Sequence, residues 1–480
     1  MNNLNNYGNF KVIAICCDFL SENHFLHNRR PLLGAAWELK ADRKYFCKKL
    51  ERNGLAGQRC ESALTDSRRL WRASHFQFPR CHDRLRLLPF MRTLPRLLAC
   101  LFAFLSVISA EGAEEFRGAW VATVFNLDWP SKPGLPAAEQ QAQLRAILDR
   151  AAQLKLNAII LQIRPASDAI YASQREPWSA FLTGRQGGSP GYDPLAFAIS
   201  EAHARRIELH AWFNPFRAAT SLKGPFSPNH VTQTHPEWVR RYGGQLWLDP
   251  GEPKARQYIL DVILDVVKRY DIDGVHIDDY FYPYPKGGVD FPDGATWQSS
   301  GAQTMQSRAD WRRENINSFV ADLYHQVKAE KPGVRVGISP FGIWRPHVPE
   351  TVEAQLDAFS QLFADSRLWL QKGWCDYLAP QLYWPCAPAK QSFPVLLEWW
   401  RSQSRAGRPV WPGIATERIG ARLPAKEIAD QIAITRSGVP AGAAPGHIHW
   451  SMAALMRDQG AVDEVLSQGV YSERAETPRR

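Results

Sequence analysis

Asp273-Gly274-Val275-His276-Ile277-Asp278-Asp279-Tyr280-Phe281-Tyr282-Pro283 is an apolar strand that stops abruptly in two acids and a run of aromatic side chains. Val275 and Ile277 are strand formers that want burial on one face. His276 and Asp278 share the opposite alternation, so that face carries ionisable groups to the strand's end. Carboxylates ringed by Tyr280, Phe281 and Tyr282 suit a sugar, whose ring faces stack on aromatics and whose acetal bond is broken by acids. The stretch therefore points first to carbohydrate chemistry.

Outward from it, apolar runs and helical patterns take turns, the signature of a parallel sheet with crossover helices. The runs that read as strands are Phe116 to Val124, Asn157 to Pro165, Glu208 to Pro215, Gly274 to Tyr280, Arg335 to Gly342, Tyr377 to Trp384, Pro409 to Glu417 and Gly446 to Ala453. Helical spacing is carried by Ala137 to Leu154, Pro194 to Arg206, Lys254 to Tyr270, Asp310 to Glu330, Val352 to Lys372, Phe393 to Arg405 and Pro424 to Ser437, with an eighth helix near Gly460 to Gln468. The fold class is α/β, a (β/α)8 TIM-type barrel with long loops after strands 2, 3 and 4, namely Ala166 to Tyr192, Phe216 to Pro253 and Tyr284 to Ala309. A doubly wound open sheet is the runner-up, but no glycine-rich dinucleotide loop follows the first strand.

In a barrel of this kind the chemistry sits at the carboxyl ends of the strands. Those ends supply Asp128 and Trp129 after the first strand, Arg164 and then Asp168 after the second, and Trp212, Asn214 and Arg217 after the third. The fourth supplies His276, Asp278, Asp279, Tyr280 and Tyr282, the sixth Gln381, Tyr383 and Trp384, the seventh Glu417 and the eighth His449 and Trp450. Amides and guanidinium groups for hydroxyls, indoles and phenols for ring faces, and a few acids for the bond make a sugar-binding set. Each has a plainer reading: Arg164 and Asp168 pairing with each other, Trp129 and Trp384 as packing corners beside proline, His276 as a satisfied core histidine.

Charge and cysteine separate the chain into two parts. Of 58 basic and 48 acidic residues, 18 and 8 fall in residues 1–110, which leaves 40 of each beyond. Six of eight cysteines, Cys16, Cys17, Cys47, Cys60, Cys81 and Cys100, lie early; only Cys375 and Cys386 lie later. Residues 1–90 show no sustained period and read as a disordered, non-native upstream extension. Residues 91–113 read as a secretory signal peptide: Met91-Arg92-Thr93-Leu94-Pro95-Arg96 is a basic start, and Leu97 to Ser109 an apolar run too short for a comfortable membrane span. The expected location is the periplasm or cell envelope, with membrane contact only through the signal peptide. Residues 114–472 form the barrel and 473–480 a disordered tail. The balanced charge of the exported part argues for no nucleic-acid partner. An oxidising compartment would let Cys375 and Cys386 pair; two buried thiols is the equal alternative.

The match to a known family becomes specific at Phe116-Arg117-Gly118-Ala119-Trp120-Val121-Ala122-Thr123-Val124 with Leu127-Asp128-Trp129-Pro130. In order after it come NAIILQIRP (157–165) with Asp168-Ala169, HAWFNPFR (210–217), YDIDGVHIDDYFYP (270–283), GISPFGIWR (337–345) and ADSRLWLQKGWCDYLAPQLYW (364–384). The chain resembles the bacterial glycosyl-hydrolase-like family 10 from Phe116 to Tyr471. The resemblance implies a barrel glycosidase acting on bacterial envelope glycan, similar to an exported cell-division enzyme that trims peptidoglycan strands stripped of their stem peptides. It also implies Asp278 in the nucleophile position, His276 as the basic residue on the same face, and Asp279 tuning its neighbour. Related barrels often carry a glutamate after the fifth strand, where this chain has Ile338-Ser339-Pro340-Phe341. Candidates for the general acid are therefore Asp279, Asp168 and Glu417.

The expected reaction is hydrolysis of a polysaccharide, the glycan strands of peptidoglycan, by carboxylate chemistry that requires no metal or other cofactor. The rivals are a metal-dependent polysaccharide deacetylase, using adjacent aspartates with histidines drawn from His210, His276 and His449, and a glycan-binding barrel without catalysis.

Overall fold

The computed structural model describes residues 113–479, apart from 304–306, 388, 421 and 440–442. The upstream extension and, save Ala113, the signal-like stretch lie outside the described residues. The barrel strands are β1 (Phe116–Val121), β2 (Ala158–Arg164) and β3 (Glu208–Phe213), followed after an insertion by β7 (Gly274–Ile277), β8 (Arg335–Ile338), β9 (Tyr377–Leu378), β10 (Gly413–Ile414) and β11 (Gly446–His449). They form one parallel sheet in the order β10-β11-β1-β2-β3-β7-β8-β9. Its two edges meet: parallel bridges join Leu378 to Val410 and Gln381 to Gly413, and Trp411 N donates to Leu378 O at 2.9 Å. The expected α/β barrel is thus present, with crossover helices at Ala137–Gln153, Pro194–His203, Pro253–Arg269, Arg308–Glu330, Phe393–Gln403 and Ala425–Arg436.

The two-residue period of each strand sorts its side chains between two cores. In β2, Ile159, Leu161 and Ile163 join the layer between sheet and helices, whereas Ala158 and Ile160 join the cluster that fills the barrel lumen. In β7, Val275 and Ile277 face the helices and His276 the lumen, so Asp278, continuing that register, stands at the lumen's mouth. The lumen is packed with Phe116, Trp120, Tyr377 and Trp411, with Phe116 stacked on Trp411 at 4.2 Å. Gly337 makes room for this packing, because a Cβ there would lie 2.0 Å from the Tyr377 ring.

A polar chain threads the lumen. Trp120 Nε1 lies 3.2 Å from His276 Nε2, and an indole N–H can only donate, so His276 carries its proton on Nδ1. That proton goes to the Tyr377 hydroxyl at 2.9 Å, the hydroxyl donates to His210 Nδ1 at 2.9 Å, and His210 Nε2 faces Glu208 at 3.1 Å.

Three regions depart from the sequence reading. Inside the long third loop, β4 (Arg217–Ala219), β5 (Val239–Tyr242) and β6 (Gln245–Leu248) form a separate antiparallel sheet in the order β4-β6-β5. The helix expected over Val352 to Lys372 is two, Ala358–Gln361 and Ser366–Lys372, because Asp357 and Asp365 each accept a backbone N–H and start a new helix. The tail expected to be disordered is ordered through Arg479 at the amino ends of the strands. Glu115 N donates to Glu476 O at 3.0 Å, Arg117 Nη1 to Glu473 O at 2.7 Å, and Arg335 to Pro478 O. Cys375 is buried and Cys386 half-buried, and both thiols are free.

Candidate active site

Asp278 is drawn toward β3. Trp212 Nε1 donates to its Oδ2 at 2.9 Å, Asn214 Nδ2 to the same oxygen at 3.2 Å, and Tyr280 N to Oδ1 at 3.3 Å. Burial pushes its carboxyl up to about 7; Arg217 opposes the shift, and the neighbouring Asp279 adds to it. Asp279 leans the other way, accepting hydrogen bonds from the Tyr284 hydroxyl and from Gln381. Burial raises its pKa too, and those two donors restrain the rise. Gln381 is itself held by Ser339 O at 3.1 Å, so β8 and β9 together place the donor.

Rings surround the pair, half-buried except for the buried Trp212. Tyr280 and Tyr284 lie 5.6 Å apart, Tyr284 and Phe341 6.5 Å, and Phe341 and Trp384 5.7 Å; across the opening Trp450 meets Trp212 at 6.1 Å and Tyr383 at 6.4 Å. Sequence reasoning passed over Tyr284, although it continues the alternation of Tyr280 and Tyr282 beyond Pro283. The Arg217 guanidinium lies over the Tyr280 ring at 4.3 Å and the Trp247 ring at 5.9 Å. It is carried there by β4, whose partner strand is docked on the segment after β7 through Trp247 Nε1 and Phe281 O at 2.9 Å.

Of the residues expected at the site, Trp212, Asn214, Asp278, Asp279, Tyr280, Gln381, Tyr383 and Trp384 are gathered at the mouth and Glu417 stands at its rim; Arg164, Asp128, Trp129, Tyr282, His276 and Asp168 are placed elsewhere or engaged otherwise. Arg164 does not face the groove or pair with Asp168. It is fully buried, and its five N–H donors go to Glu176 (2.9 and 2.6 Å), Asn214 O, Pro215 O and Ser167 Oγ. Asp128 is taken up by the frame, accepting from Ala122 N, Ser451 Oγ and Ala453 N, which ties the end of β1 to the chain after β11. Trp129 is buried against the first crossover helix with its N–H on Gln140 O. Tyr282 is buried between Phe291 and Phe363. His276, expected as the basic residue beside Asp278, is instead a lumen residue: burial holds its pKa well below the usual histidine value and keeps it neutral. Glu417 stands at the rim rather than beside the aspartate pair: its amide donates to Trp450 O, its carboxyl accepts from the Trp450 side chain, and desolvation raises its pKa while Arg418 opposes the shift.

Asp168 is buried beside the loops after β2 and β3. Gln186 Nε2 reaches its Oδ2 at 3.5 Å, and Oδ1 has no partner among the described residues. Burial pushes this carboxyl also up to about 7, with Glu176 adding repulsion. The three histidines considered as metal ligands are committed to neighbours: His449 holds Thr416 Oγ1 and the Tyr471 hydroxyl, and His210 and His276 share Tyr377. Among the described residues no group of three His, Cys, Asp or Glu side chains is placed to hold a metal ion.

A parallel barrel that holds two adjacent buried carboxyls in a ring of aromatics at its carboxyl end is of the glycoside hydrolase type. The chain belongs to the family described as glycosyl hydrolase-like 10, matched over residues 115–428. It is 40% identical to glycosyl hydrolase YngK of Bacillus subtilis (strain 168) over 408 residues, covering 81% of this chain and 79% of that one. It is 37% identical to glycosyl hydrolase DigH of Escherichia coli (strain K12) over 331 residues, 65% of this chain and 75% of that one. Among solved structures, the glycoside hydrolase domain of PgaB (BpsB) from Bordetella bronchiseptica aligns with a TM-score of 0.47 at 15% identity, covering 74% of this chain and 98% of that domain.

Proposed function

We propose that the protein hydrolyses glycosidic bonds in the amino-sugar glycan of the bacterial cell wall, using Asp278 and Asp279 as its reacting carboxyls. The observation that carries this reading is the pair itself: adjacent, buried, both with raised pKa values, one near 7. Two coupled carboxyls in such a site hold a proton between them near neutral pH, so one donates while the other is ionised. The protonated member gives its proton to the leaving glycosidic oxygen; the ionised one attacks the anomeric carbon or takes a proton from the incoming water. The rim of Tyr280, Tyr284, Tyr383, Trp384 and Trp450 supplies stacking faces for the rings on either side. Membership of a glycosyl hydrolase-like family supports the reaction class. The basic start and apolar run at residues 91–110 support export to the compartment where this glycan lies.

Digestion of intact and peptide-stripped peptidoglycan, with the released ends identified by mass, tests the reading. New reducing ends are expected, fewer by about 10²–10⁴-fold with Asp278→Asn or Asp279→Asn. Free acetate released in a chelator-sensitive reaction would select a deacetylase. Glycan binding without new ends, unchanged by Asp278→Asn, would leave a binding barrel.

A further inference from the structure

Arg217 is a cation that the protein has desolvated and scarcely bonded. It is only 5% exposed. Of its five side-chain N–H donors, one reaches an acceptor, Nη1 to Pro165 O at a long 3.4 Å; Nε is buried without a partner, and Nη2 donates to no described residue. A buried guanidinium in this state is costly unless something else completes it. Stacking on Tyr280 and the field of the two aspartates offset part of that cost. The aspartates are poor permanent counter-ions, because the reaction needs one of them protonated. Nor is the exposed donor edge used to build the frame, since the sheet that carries Arg217 is fixed by Trp247 Nε1 on Phe281 O.

We infer that Arg217 forms an anion subsite beside Asp278 that takes a carboxylate carried by a sugar of the substrate. This rests on the glycosidase reading above and narrows its substrate to acidic glycans. A planar fork of free N–H groups matches a carboxylate in a way that a lone hydroxyl does not. Two kinds of sugar bring such a group: an amino sugar bearing a lactyl ether whose acid is not amidated by peptide, and a uronic acid. Neutral amino-sugar chains bring none.

Calorimetric binding to Asp278→Asn protein, in which turnover is suppressed, tests the subsite with four oligosaccharides of one length. These are N-acetylglucosamine–N-acetylmuramic acid chains with free lactyl carboxyls, the same chains with the carboxyls converted to primary amides, an oligo-uronate, and neutral N-acetylglucosamine chains. The free lactyl acid should bind at least about tenfold more tightly than its amide. In Arg217→Gln that ratio should fall to within about twofold, and Arg217→Lys should keep part of it. Equal binding of the uronate would show a subsite for any sugar carboxylate; weaker uronate binding would assign it to the lactyl group. Equal binding of acid and amide, or a ratio that survives both Arg217 substitutions, overturns the inference. So does a shift of the pH–rate profile in otherwise unsubstituted Arg217→Gln protein that leaves the acid-to-amide ratio of kcat/KM intact, since Arg217 would then only tune Asp278. Cleavage without carboxylate preference sinks the subsite alone. Preference without new reducing ends sinks the glycosidase reading alone.

Discussion

Arg164, at the end of β2, and Arg217, at the start of β4, are both withdrawn from solvent, yet every N–H of the first is bonded and almost none of the second is. Arg164 belongs to the frame. It clamps Glu176 with two bonds, holds the carbonyls of Asn214 and Pro215, and so fixes the turn from which Asn214 reaches Asp278. Arg217 belongs to the groove, lying on an aromatic ring with its donors unspent. The contrast teaches how such a mouth is built: saturated charges set geometry, and an unsaturated one is left over for a ligand. Burial alone does not tell the two apart; the donor inventory does.

The sharpest way to break this contrast is to remove each charge in turn. Arg164→Met leaves Glu176 fully buried with Tyr258 as its one remaining side-chain partner among the described residues, so denaturant midpoints should report a loss of about 3–5 kcal/mol. Arg217→Met removes a cation with one long hydrogen bond, and the folded state should shift by no more than about 1 kcal/mol. The pair Arg164→Met with Glu176→Met should recover most of the loss, because no unpaired charge remains. Equal destabilisation by both single substitutions would erase the distinction between frame and groove.

Asp168 tests where the boundary runs. Its carboxyl, pushed by burial to about 7 against 3.8 for a free aspartate, keeps a proton in the folded chain that the unfolded chain releases from about pH 4 upward. The native state then binds more protons than the unfolded one, so stability falls as pH rises through that window and levels off above about 7. Asp168→Asn mimics the protonated acid. It should match the parent at pH 4–5 and exceed it by roughly 1–3 kcal/mol at pH 8, as read from denaturation midpoints at the two pH values. Asp278, shifted in the same direction, keeps part of the slope in the variant. An unchanged difference between pH 5 and pH 8 would put the Asp168 carboxyl in water, on the groove side.

The barrel was legible because period two is imposed on every strand by two cores. Val275 and Ile277 against His276, or Ile159, Leu161 and Ile163 against Ala158 and Ile160, say which faces are apolar without any knowledge of partners. The same period misleads where a strand leaves the sheet. His276 and Asp278 share an alternation, but one points into a packed lumen and the other onto its mouth, and only closure of the sheet separates them. Tyr280 and Tyr282 likewise share an alternation, and Phe291 and Phe363, brought in by other segments, bury one of them. Pairing is harder still to read. Arg164 found Glu176 rather than Asp168 because the loop after β2 folds back, and Asp128 was claimed by Ser451 and Ala453 from the far end of the barrel. The small sheet holding Arg217 rests on strands of three and four residues, too short for a pattern to show.

On the groove side the finest test is Tyr284→Phe. The Tyr284 hydroxyl donates to Asp279, and a donor to a carboxylate favours its ionised form, so deleting the hydroxyl should raise the pKa of Asp279. If Asp279 is the member that must be ionised, the acid limb of the pH–rate profile should move to higher pH, with the loss of kcat/KM largest below neutrality. The alkaline limb, set by the proton on Asp278, should stay in place. The hydrogen bond is charge-assisted but shares that carboxylate with Gln381 and the Asp279 backbone N–H, so the effect should be about 1–2 kcal/mol, or roughly five- to thirtyfold at the acid end. The ring remains in Tyr284→Phe, so stacking against Tyr280 and Phe341 is kept and KM for long oligosaccharides should change little. A uniform drop at all pH values would make Tyr284 a wall of the groove and nothing more. Movement of the alkaline limb instead would exchange the roles of Asp278 and Asp279, with Asp279 carrying the proton that leaves.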